Sequence, residues 1–348
     1  MLPLHQIADE VRRFTLEECG FDRVGFARAE RLVEDGARLE EWLHNGRHGT
    51  MAWMAREPER RYDPHLLLPS ARTVIVVAKN YRTPFDPGED SRAKVSRYAW
   101  GRDYHNILPK RLKRLAHRLE ELVPGTESRW YVDSGPMMEK AWAERAGLGW
   151  RGKHTTVITR THGSWVLLGT LLTSLELPPD SPATELCGTC TRCIDACPTD
   201  AITAPWQLDA RRCISYITIE HRPKEEAIPE EVAEQMEGWA FGCDICQEVC
   251  PWNRFEQKVD NPDFSPRPGV LELTPEELAV IDDAEVERRF TGSPIRRAGG
   301  PGLRRTGAAM LRAQGAAAKN EPPNNAQAEA HSGPRPATAP QPEIPDPQ

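Results

Sequence analysis

The sequence predicts an α/β domain, then a small cysteine-rich domain, then a short helical C-terminus. Three observations lead to this prediction: apolar runs and amphipathic helical patterns fill the first half, eight of the nine cysteines lie between positions 187 and 250, and prolines crowd the end of the chain. The 348 residues suit roughly two to three domains. We place the boundaries at 1–180, 181–262, 263–314 and 315–348, and we expect the proline-rich last segment to be disordered.

The first domain is predicted to open on an amphipathic helix that ends at Gly20. Its apolar side chains are Ile7, Val11, Phe14 and Leu16. The continuous apolar run at 73–78 is typical of a strand that is buried on both faces. A second amphipathic helix is expected at 105–122, where leucines recur at helical spacing at positions 108, 112, 115, 119 and 122.

The second half of this domain is predicted to hold a strand at 129–132, which stops at Asp133. Ser134 is then expected to cap the following helix. Two further strands, 155–159 and 165–172, should form a pair with a tight turn between them. Together with the first helices, these elements indicate an α/β fold.

No part of the sequence is expected to cross or to pass a membrane. The longest apolar run falls short of the roughly 18 residues that a spanning helix needs. Arg12 and Arg13 faintly resemble a twin-arginine signal, but acidic residues and no apolar stretch follow them. We therefore expect a cytoplasmic protein, in which structural disulfides are rare. The crowded cysteines then point to a cofactor.

The cysteine spacing predicts a ferredoxin-like domain. Its first half is Cys187-x2-Cys190-x2-Cys193-x3-Cys197-Pro198, the spacing of bacterial ferredoxins, in which the fourth cysteine ligates the neighbouring cluster. The second half is altered: Cys213 stands alone, and Cys243-x2-Cys246-x3-Cys250-Pro251 follows. We therefore expect two [4Fe–4S] clusters, which would carry single electrons to a centre in the first domain.

Crossing the fourth cysteine of each half gives a definite set of ligands. One cluster takes Cys187, Cys190, Cys193 and Cys250, and the other takes Cys197, Cys213, Cys243 and Cys246. Zinc is the weaker alternative, since it prefers two separated pairs of cysteines. Disulfides are weaker still.

Asp133 is a candidate proton donor. It follows a predicted strand, and in open α/β folds ligands bind at the edge where such strands end. Its carboxyl group could deliver a proton if dry surroundings raise its pKa. From position alone, a turn or helix-capping aspartate is the favoured alternative.

The segment 149–154 places cations and Trp150 beside two glycines. This composition suits a cofactor that carries phosphate or amide groups and that the backbone approaches closely. A surface turn is an equally open alternative, and Trp150 could instead pack in the core. No G-x-G-x-x-G follows a strand and no P-loop is present, so neither a dinucleotide nor ATP is implied.

The segment 91–118 is strongly basic, with Asp103 as its single acid. Its cations are Arg92, Lys94, Arg97, Arg102, Lys110, Arg111, Lys113, Arg114 and Arg118. On spacing alone a solvated charged face is favoured, and contact with a phosphate backbone is the alternative. Because the net charge of the chain is −7, any nucleic acid would have to use such a local patch.

Several motifs resemble those of epoxyqueuosine reductases, and they cover about residues 1–313. They are Gly20-Phe21-Asp22-Arg23-Val24-Gly25, Trp42-Leu43, Gly46-Arg47-His48-Gly49-Thr50-Met51, Ser96-Arg97-Tyr98-Ala99-Trp100-Gly101-Arg102-Asp103-Tyr104-His105, Val132-Asp133-Ser134-Gly135-Pro136, Glu139-Lys140, Gly147-Leu148-Gly149-Trp150-Arg151-Gly152-Lys153-His154, and Cys213-Ile214-Ser215-Tyr216. They agree with that family in order and in spacing.

The resemblance implies a cobalamin in the first domain, packed against the ferredoxin-like domain. It implies epoxyqueuosine at the wobble position of a tRNA anticodon as the substrate, where a loop nucleoside is easily turned out into a pocket. The epoxide oxygen would leave as water, which takes two electrons and two protons, and Asp133 aligns with the proton donor. Arg97, Lys153, His154 and Ser215 would lie near the cofactor.

The same resemblance bears on partners and on cobalt ligation. It implies an external low-potential electron donor and a monomer without membrane contact. Relatives keep cobalt without a lower-axial histidine, and in agreement Asp103-x-His105 is followed by Leu108 where the usual cobalamin-binding motif has glycine. Residues 292–311 resemble only the first of the HEAT-type repeats of many relatives. Arg296, Arg297, Arg304 and Arg305 there either contact phosphate or form a solvated surface.

Two other functions fit part of the sequence. A reductive dehalogenase also couples two such clusters to cobalamin, but it typically carries an export signal and gives no reason for the basic segment. An iron–sulfur electron carrier without its own substrate would bind no cobalamin. A spectrum of the reconstituted protein distinguishes that alternative from an enzyme.

Overall fold

The computed structural model describes residues 3–87 and 92–320, with side chains up to 315. The strands are β1 (Arg23–Arg28), β2 (Thr73–Asn80), β3 (Lys94–Val95), β4 (Ser128–Tyr131), β5 (Trp150–Arg151), β6 (Val157–Ile158), β7 (Val166–Thr173), β8 (Ile202–Ala204), β9 (Gln207–Leu208) and β10 (Trp239–Phe241). The helices are α1 (Leu4–Arg13), α2 (Val33–His44), α3 (Glu59–Tyr62), α4 (Leu108–Leu122), α5 (Glu139–Arg145), α6 (Arg192–Asp195), α7 (Ile214–Ile219), α8 (Glu230–Gln235), α9 (Ile245–Glu248), α10 (Pro275–Val280), α11 (Asp283–Phe290) and α12 (Gly299–Asn320).

A four-stranded sheet of order β1-β2-β7-β4 forms the centre of the first domain. The predicted strand at 73–78 is confirmed as β2, and it is buried because it has β1 and β7 on its two sides and core on both faces. Helices packed on a sheet agree with the predicted fold class. All three pairings of this sheet are antiparallel, however. The rule that ligands gather where parallel strands end therefore does not place the site here.

Helices cover both faces of this sheet. On one face, Ile75 and Val77 pack with the leucine stripe of α4, of which Leu108, Leu112 and Leu115 are fully buried. On the other face, Val74 and Val76 belong to a second core together with α5. The alternation of β2 side chains thus divides one strand between two cores.

The first helix differs from its prediction near its end. After α1 the chain continues as a π-helical turn, Phe14–Glu18, and Gly20 follows with φ +70°. The wider turn rotates the side chains, so that Thr15 is buried and Leu16 is 40% exposed. The expected apolar position of Leu16 is therefore wrong, whereas Ile7 and Val11 are buried as predicted.

Two further local predictions are wrong. Ser134 does not cap a helix, because α5 begins only at Glu139 and the Ser134 hydroxyl donates to the Val132 carbonyl at 3.1 Å. Strands β6 and β7 are not paired with each other: β6 pairs with β5, and β7 lies between β2 and β4. The apolar β7 forms more contacts in the centre of the sheet than a hairpin with a two-residue strand would give.

The C-terminal helices pack on a segment from the first domain. Strand β3 pairs in parallel with β10, and Trp100, 1% exposed, lies in one core with residues of α10, α11 and α12. The predicted helices are present, but α12 is long and continues to Asn320, beyond the expected start of a tail at 315. The rest of that tail, and Ser91 of the basic segment, lie outside the described residues. Within the described ranges, no helix combines the length and the apolar character that a membrane span requires.

Candidate active site

The cysteines of the second domain form two electrostatic groups. Burial, and then the neighbouring thiols of Cys187, Cys193 and Cys190, raise the pKa of Cys250 to about 12. Their mutual influence shows that Cys250, which is remote in sequence, lies together with the three cysteines of the first loop. Because burial favours the neutral thiol, an iron cluster must supply the positive charge that stabilises thiolates here.

The second group has the same character. Burial raises the pKa of Cys243, and Cys213 and Cys197 contribute in the same direction. The pKa of Cys246 is raised by burial and then by the thiols of Cys243 and Cys213, and more weakly by that of Cys193. Over residues 3–87 and 92–320 no three side chains form a site for a single metal ion. A four-iron cubane instead takes one sulfur ligand at each of its corners.

Lys153 lies against the first cysteine loop. Its Nζ donates to the carbonyl oxygens of Gly188 at 2.6 Å and Cys190 at 2.9 Å, and the residue is 7% exposed. The sequence placed Lys153 near a cofactor, and the structure places it beside the loop that carries two of the cysteines. Its charge there would favour the anionic sulfur cluster.

His154 has a buried hydrogen-bond donor with no partner. Its Nδ1 accepts from the backbone N–H of Thr156 at 3.2 Å, so that Nε2 carries the proton. Burial, and then the charge of Lys140, lower the pKa of His154 to about 4, so that the ring is neutral. Nε2 finds no acceptor among the described residues. An amide or phosphate oxygen of a bound cofactor would satisfy it.

Arg97 and Ser215, the other two residues expected near the cofactor, lie at different parts of the cysteine-rich domain: Arg97 packs against α9, and Ser215 lies in α7. The Arg97 guanidinium is buried and lies 3.4 Å from Asp244 and 2.5 Å from Glu248, so it joins the first domain to α9. It also lines a cavity together with Trp165 and Cys250, and its contact with a cofactor stays a prediction. Ser215 is half-buried in α7. Its backbone N–H bonds the Cys213 thiol, which supports the second cysteine group.

Asp133 lies in a recess with two hydrogen-bond donors. Its Oδ2 is 3.1 Å from the Tyr104 hydroxyl and 3.2 Å from His105 Nε2. The side chain is 68% exposed although protein surrounds it on most sides, as expected for a recess that opens to solvent. Asp133 has φ +54°, a left-handed conformation that is uncommon for any residue but glycine.

The charges in this recess favour an ionised aspartate. The hydrogen bond from His105 lowers the pKa of Asp133, and this effect exceeds that of burial. Burial alone would lower the pKa of His105, but hydrogen bonds to Asp103 and Asp133 raise it to about 9. The dry surroundings that would raise the pKa of Asp133 are therefore not what the described residues provide.

Glu139 and Lys140 extend the recess toward the cysteines. Burial raises the pKa of Glu139 to about 7, and its carboxylate accepts the backbone N–H of Asp133. Burial lowers the pKa of Lys140, which interacts with Asp133 and Glu139 and also with Cys246 and Cys213. Lys140 thus lies between the acidic group and the second cysteine group. Glu139 and Lys140 belong to the motifs shared with the family, but nothing in their spacing predicts these contacts.

The basic segment is largely paired with acids from elsewhere in the chain. The arginines within ion-pair distance of a carboxylate are Arg92, Arg97, Arg102, Arg111, Arg114 and Arg118. Lys110 and Lys113 are exposed and form no ion pair with any described residue. The structure therefore leaves mainly these two lysines on α4 for an external phosphate.

The four arginines of the C-terminal segment divide into two pairs. Arg304 donates to the Ile281 carbonyl at 2.7 Å, and Arg305 is buried. Arg296 and Arg297 have side chains that are 50% and 55% exposed, and each forms an ion pair with a glutamate. Arg297 also interacts electrostatically with Asp133.

Two family models match the chain. One, described as "Epoxyqueuosine reductase QueG, DUF1730", matches residues 61–134, and the other, a 4Fe-4S double cluster binding domain, matches 186–253. An epoxyqueuosine reductase of Synechocystis is 50% identical over 266 residues, which are 76% of this chain and 91% of that protein.

Solved structures are similar over most of the chain. An epoxyqueuosine reductase bound to an epoxyqueuosine-modified stem loop of tRNA-Tyr has a TM-score of 0.82 and 29% identity, over 91% of this chain and 84% of that one. A structure of the Bacillus subtilis enzyme, in which a catalytic aspartate loop is swung out of the active site, has a TM-score of 0.81, with the same identity and coverage.

Proposed function

Since this chain belongs to the epoxyqueuosine reductase family, we infer that it reduces epoxyqueuosine in tRNA to queuosine. One structural observation carries this conclusion beyond the family resemblance. Lys140 interacts electrostatically both with the Asp133 carboxylate and with Cys246 and Cys213 of the second cysteine group. The proposed proton donor and the proposed electron source thus act on one and the same side chain, as expected where oxygen is removed reductively.

The cofactors are two [4Fe–4S] clusters and cobalamin. The ligand sets that we propose are those of the crossed pattern, with Cys250 completing the first cluster and Cys197 the second. The electrostatic grouping of the thiols supports this assignment. We propose that cobalamin lies in the recess, where the unpaired Nε2 of His154 would bond it. When bound, cobalamin supplies a reductant that delivers two electrons to the epoxide.

We propose that Asp133 donates protons to the leaving oxygen. Removal of an epoxide oxygen as water consumes two electrons and two protons, and both C–O bonds break. The Asp133 carboxylate is open to a ligand, and Tyr104 and His105 hold Oδ2 in place. The mobile catalytic aspartate loop of the B. subtilis relative is consistent with this role. Lys140 adds a positive charge that would favour an anionic oxygen in the recess.

The remaining features are also proposals. The domain boundaries are 1–180, 181–262 and 263–314, and the chain acts as a monomer in the cytoplasm with an external low-potential donor. The tRNA complex of a relative supports tRNA as the partner. Of the arginines of the C-terminal segment, we expect the exposed Arg296 and Arg297 to contact its phosphates, and Arg297 also interacts with Asp133.

The function is tested on anaerobically reconstituted protein with cobalamin, a strong reductant and tRNA that carries epoxyqueuosine. The tRNA is digested, and the mass of the modified nucleoside is measured by mass spectrometry. We expect the loss of the mass of one oxygen atom, and only in the presence of cobalamin. If the clusters and cobalt were reduced while the nucleoside stayed unchanged, the tRNA substrate would be wrong. An organohalide would then be the next substrate to test.

A further inference from the structure

The reaction needs two protons, but Asp133 holds at most one. We propose that His105, held in place by Asp103, is the proton reservoir that recharges Asp133 during turnover. This inference rests on the proposed function of the recess, and it assigns His105 and Asp103 as positioning residues that act through Asp133. Three side chains from two segments form the relay, and no other chain or ion is needed for it.

The geometry fixes the direction of the relay. Asp103 Oδ1 accepts the backbone N–H of His105 at 3.0 Å and lies 2.7 Å from its Nδ1. Two bonds to one oxygen hold the ring in a single orientation, with Nδ1–H toward Asp103. Nε2 is then left to face Asp133 Oδ2 at 3.2 Å. The Tyr104 ring stacks on the imidazole at 4.1 Å between centroids and prevents its rotation.

The proton of the imidazole can be replaced from water. The His105 side chain is 34% exposed, whereas Asp103 is 23% exposed, so solvent reaches the ring. Because Asp133 is ionised beside the imidazolium, His105 Nε2 first donates its proton to Asp133 Oδ2, and Asp133 passes that proton on to the leaving oxygen. The imidazole then takes a proton from water. Two such cycles supply the two protons, and the electrons arrive separately from the clusters.

The other charged groups around the relay keep this proton in place. Tyr104 donates its hydroxyl to Asp133, and burial keeps that phenol protonated, as it does the nearby Tyr98. Lys140 and Arg297 each interact with Asp133, and Glu139 faces it from the start of α5. The hydrogen bonds to Asp103 and Asp133 raise the pKa of His105 to about 9, so the imidazole is protonated at neutral pH.

The relay predicts a particular pH profile. Because the pKa of His105 is raised to about 9, the reservoir is full below that value, and turnover falls as the pH rises through it. Asp103→Asn removes the carboxylate that stabilises the imidazolium. The alkaline fall should then move to lower pH, toward the ordinary histidine value of roughly 6.5. A loss of packing alone would lower the rate equally at all pH values.

The test measures single-turnover rates of the reconstituted holoenzyme on an epoxyqueuosine stem loop between about pH 6 and 10. We expect His105→Gln to lower the rate by about 10- to 100-fold, with binding of the stem loop unchanged, and added imidazole to restore part of it. His117→Gln, an exposed histidine on α4, is the matched control and should change nothing.

Three outcomes decide the inference. A rate that recovers with imidazole, together with a shifted alkaline limb in Asp103→Asn, supports the relay. A wild-type rate in His105→Gln, or a loss that is uniform in pH and insensitive to imidazole, overturns it and leaves the proposed function intact. If the wild-type holoenzyme itself leaves the nucleoside unchanged, the proposed function is wrong. That result is distinct from a failure of the relay, because it is seen in the wild-type protein before any variant is measured.

Discussion

The cysteine region and the Asp133 recess differ in what determines their chemistry. In the cysteine region the spacing along the chain selects the ligands, since a short loop can reach only neighbouring corners of a cluster. In the recess the protonation of Asp133 depends on His105, Glu139 and Lys140, and on how deeply each is buried. A pattern of residues therefore specifies a metal ligand set more fully than it specifies an acid.

The largest effect is expected in the cysteine region. Cys250→Ala and Cys187→Ala should damage the same cluster, halve the iron content and abolish turnover, because one missing corner breaks the only route for electrons. Electron paramagnetic resonance of the reduced protein checks this: the two variants should lose the same signal, and Cys246→Ala should lose the other. Cys19→Ala is the control, since Cys19 is buried in the core of the first domain with Ile7 and Val11. Different signals lost in the first two variants would contradict the crossed ligation.

In the recess, Asp133→Asn should lower turnover by about 10²- to 10⁴-fold, because it removes the proton donor but leaves a side chain of the same shape. Both clusters and cobalamin should remain, as their absorption spectra would show. Mass analysis of the nucleoside in single-turnover experiments measures the rate. Asp260→Asn, an exposed aspartate, serves as the control. Undiminished turnover in Asp133→Asn would remove this residue as the acid.

The sequence predicted these two regions to different depths. The buried strand β2, the leucine face of α4 and the cysteine spacing were predictable, because each depends on contacts that recur at a fixed interval. The sequence also singled out Asp133. It could not predict that His105 keeps this carboxylate ionised, because that depends on a 3.2 Å contact between two segments 28 residues apart.

The antiparallel sheet shows the same limit. An apolar run such as 166–173 predicts a buried strand, but it does not specify the neighbours of the strand. β7 lies between β2 and β4 because its residues fill the centre of both cores, and the expected hairpin partner at 157–158 pairs with β5 instead. The basic segment is similar, since the acids that pair with its arginines come from remote parts of the chain, such as Asp263.

Arg97 joins the first domain to α9 of the cysteine region, and its removal should destabilise the protein. Arg97→Met leaves Asp244, which is 0% exposed, without its ion-pair partner. Breaking such a buried pair costs about 3–5 kcal/mol. Thermal unfolding of the anaerobic holoprotein measures this. Arg102→Met is the matched control, because its pair with Asp263 is 56% exposed on the arginine side and should cost at most about 1 kcal/mol.

A second variant separates charge from packing at Arg97. Adding Asp244→Asn to Arg97→Met removes the unpaired carboxylate and should recover part of the lost stability. No recovery would mean that the guanidinium acts through its packing on Trp100 and Trp165, whose ring centroids lie 5.4 and 5.2 Å from it. A loss of cobalamin at unchanged stability would instead favour the predicted cofactor contact of Arg97.

The smallest effect is expected at Glu139, which belongs to the Asp133 recess. Burial raises the pKa of this carboxyl from 4.5 to about 7, so the folded protein binds a proton that the unfolded chain has released. The contribution of Glu139 to the free energy of unfolding is therefore greatest below pH 4.5, falls as the pH rises from 4.5 to about 7, and is constant above that. Glu139→Gln is neutral throughout, so it should remove this fall.

Denaturant unfolding of the anaerobic holoprotein at several pH values measures the difference. Relative to Glu139→Gln, the wild-type protein should lose about 1–3 kcal/mol across this window. Glu41→Gln, an exposed glutamate on α2, should follow the wild-type curve. Parallel curves for wild type and Glu139→Gln would mean that Glu139 titrates as it does in the unfolded chain. The carboxylate that accepts the backbone N–H of Asp133 would then be ionised at neutral pH, and the recess would hold one more negative charge beside the proton donor.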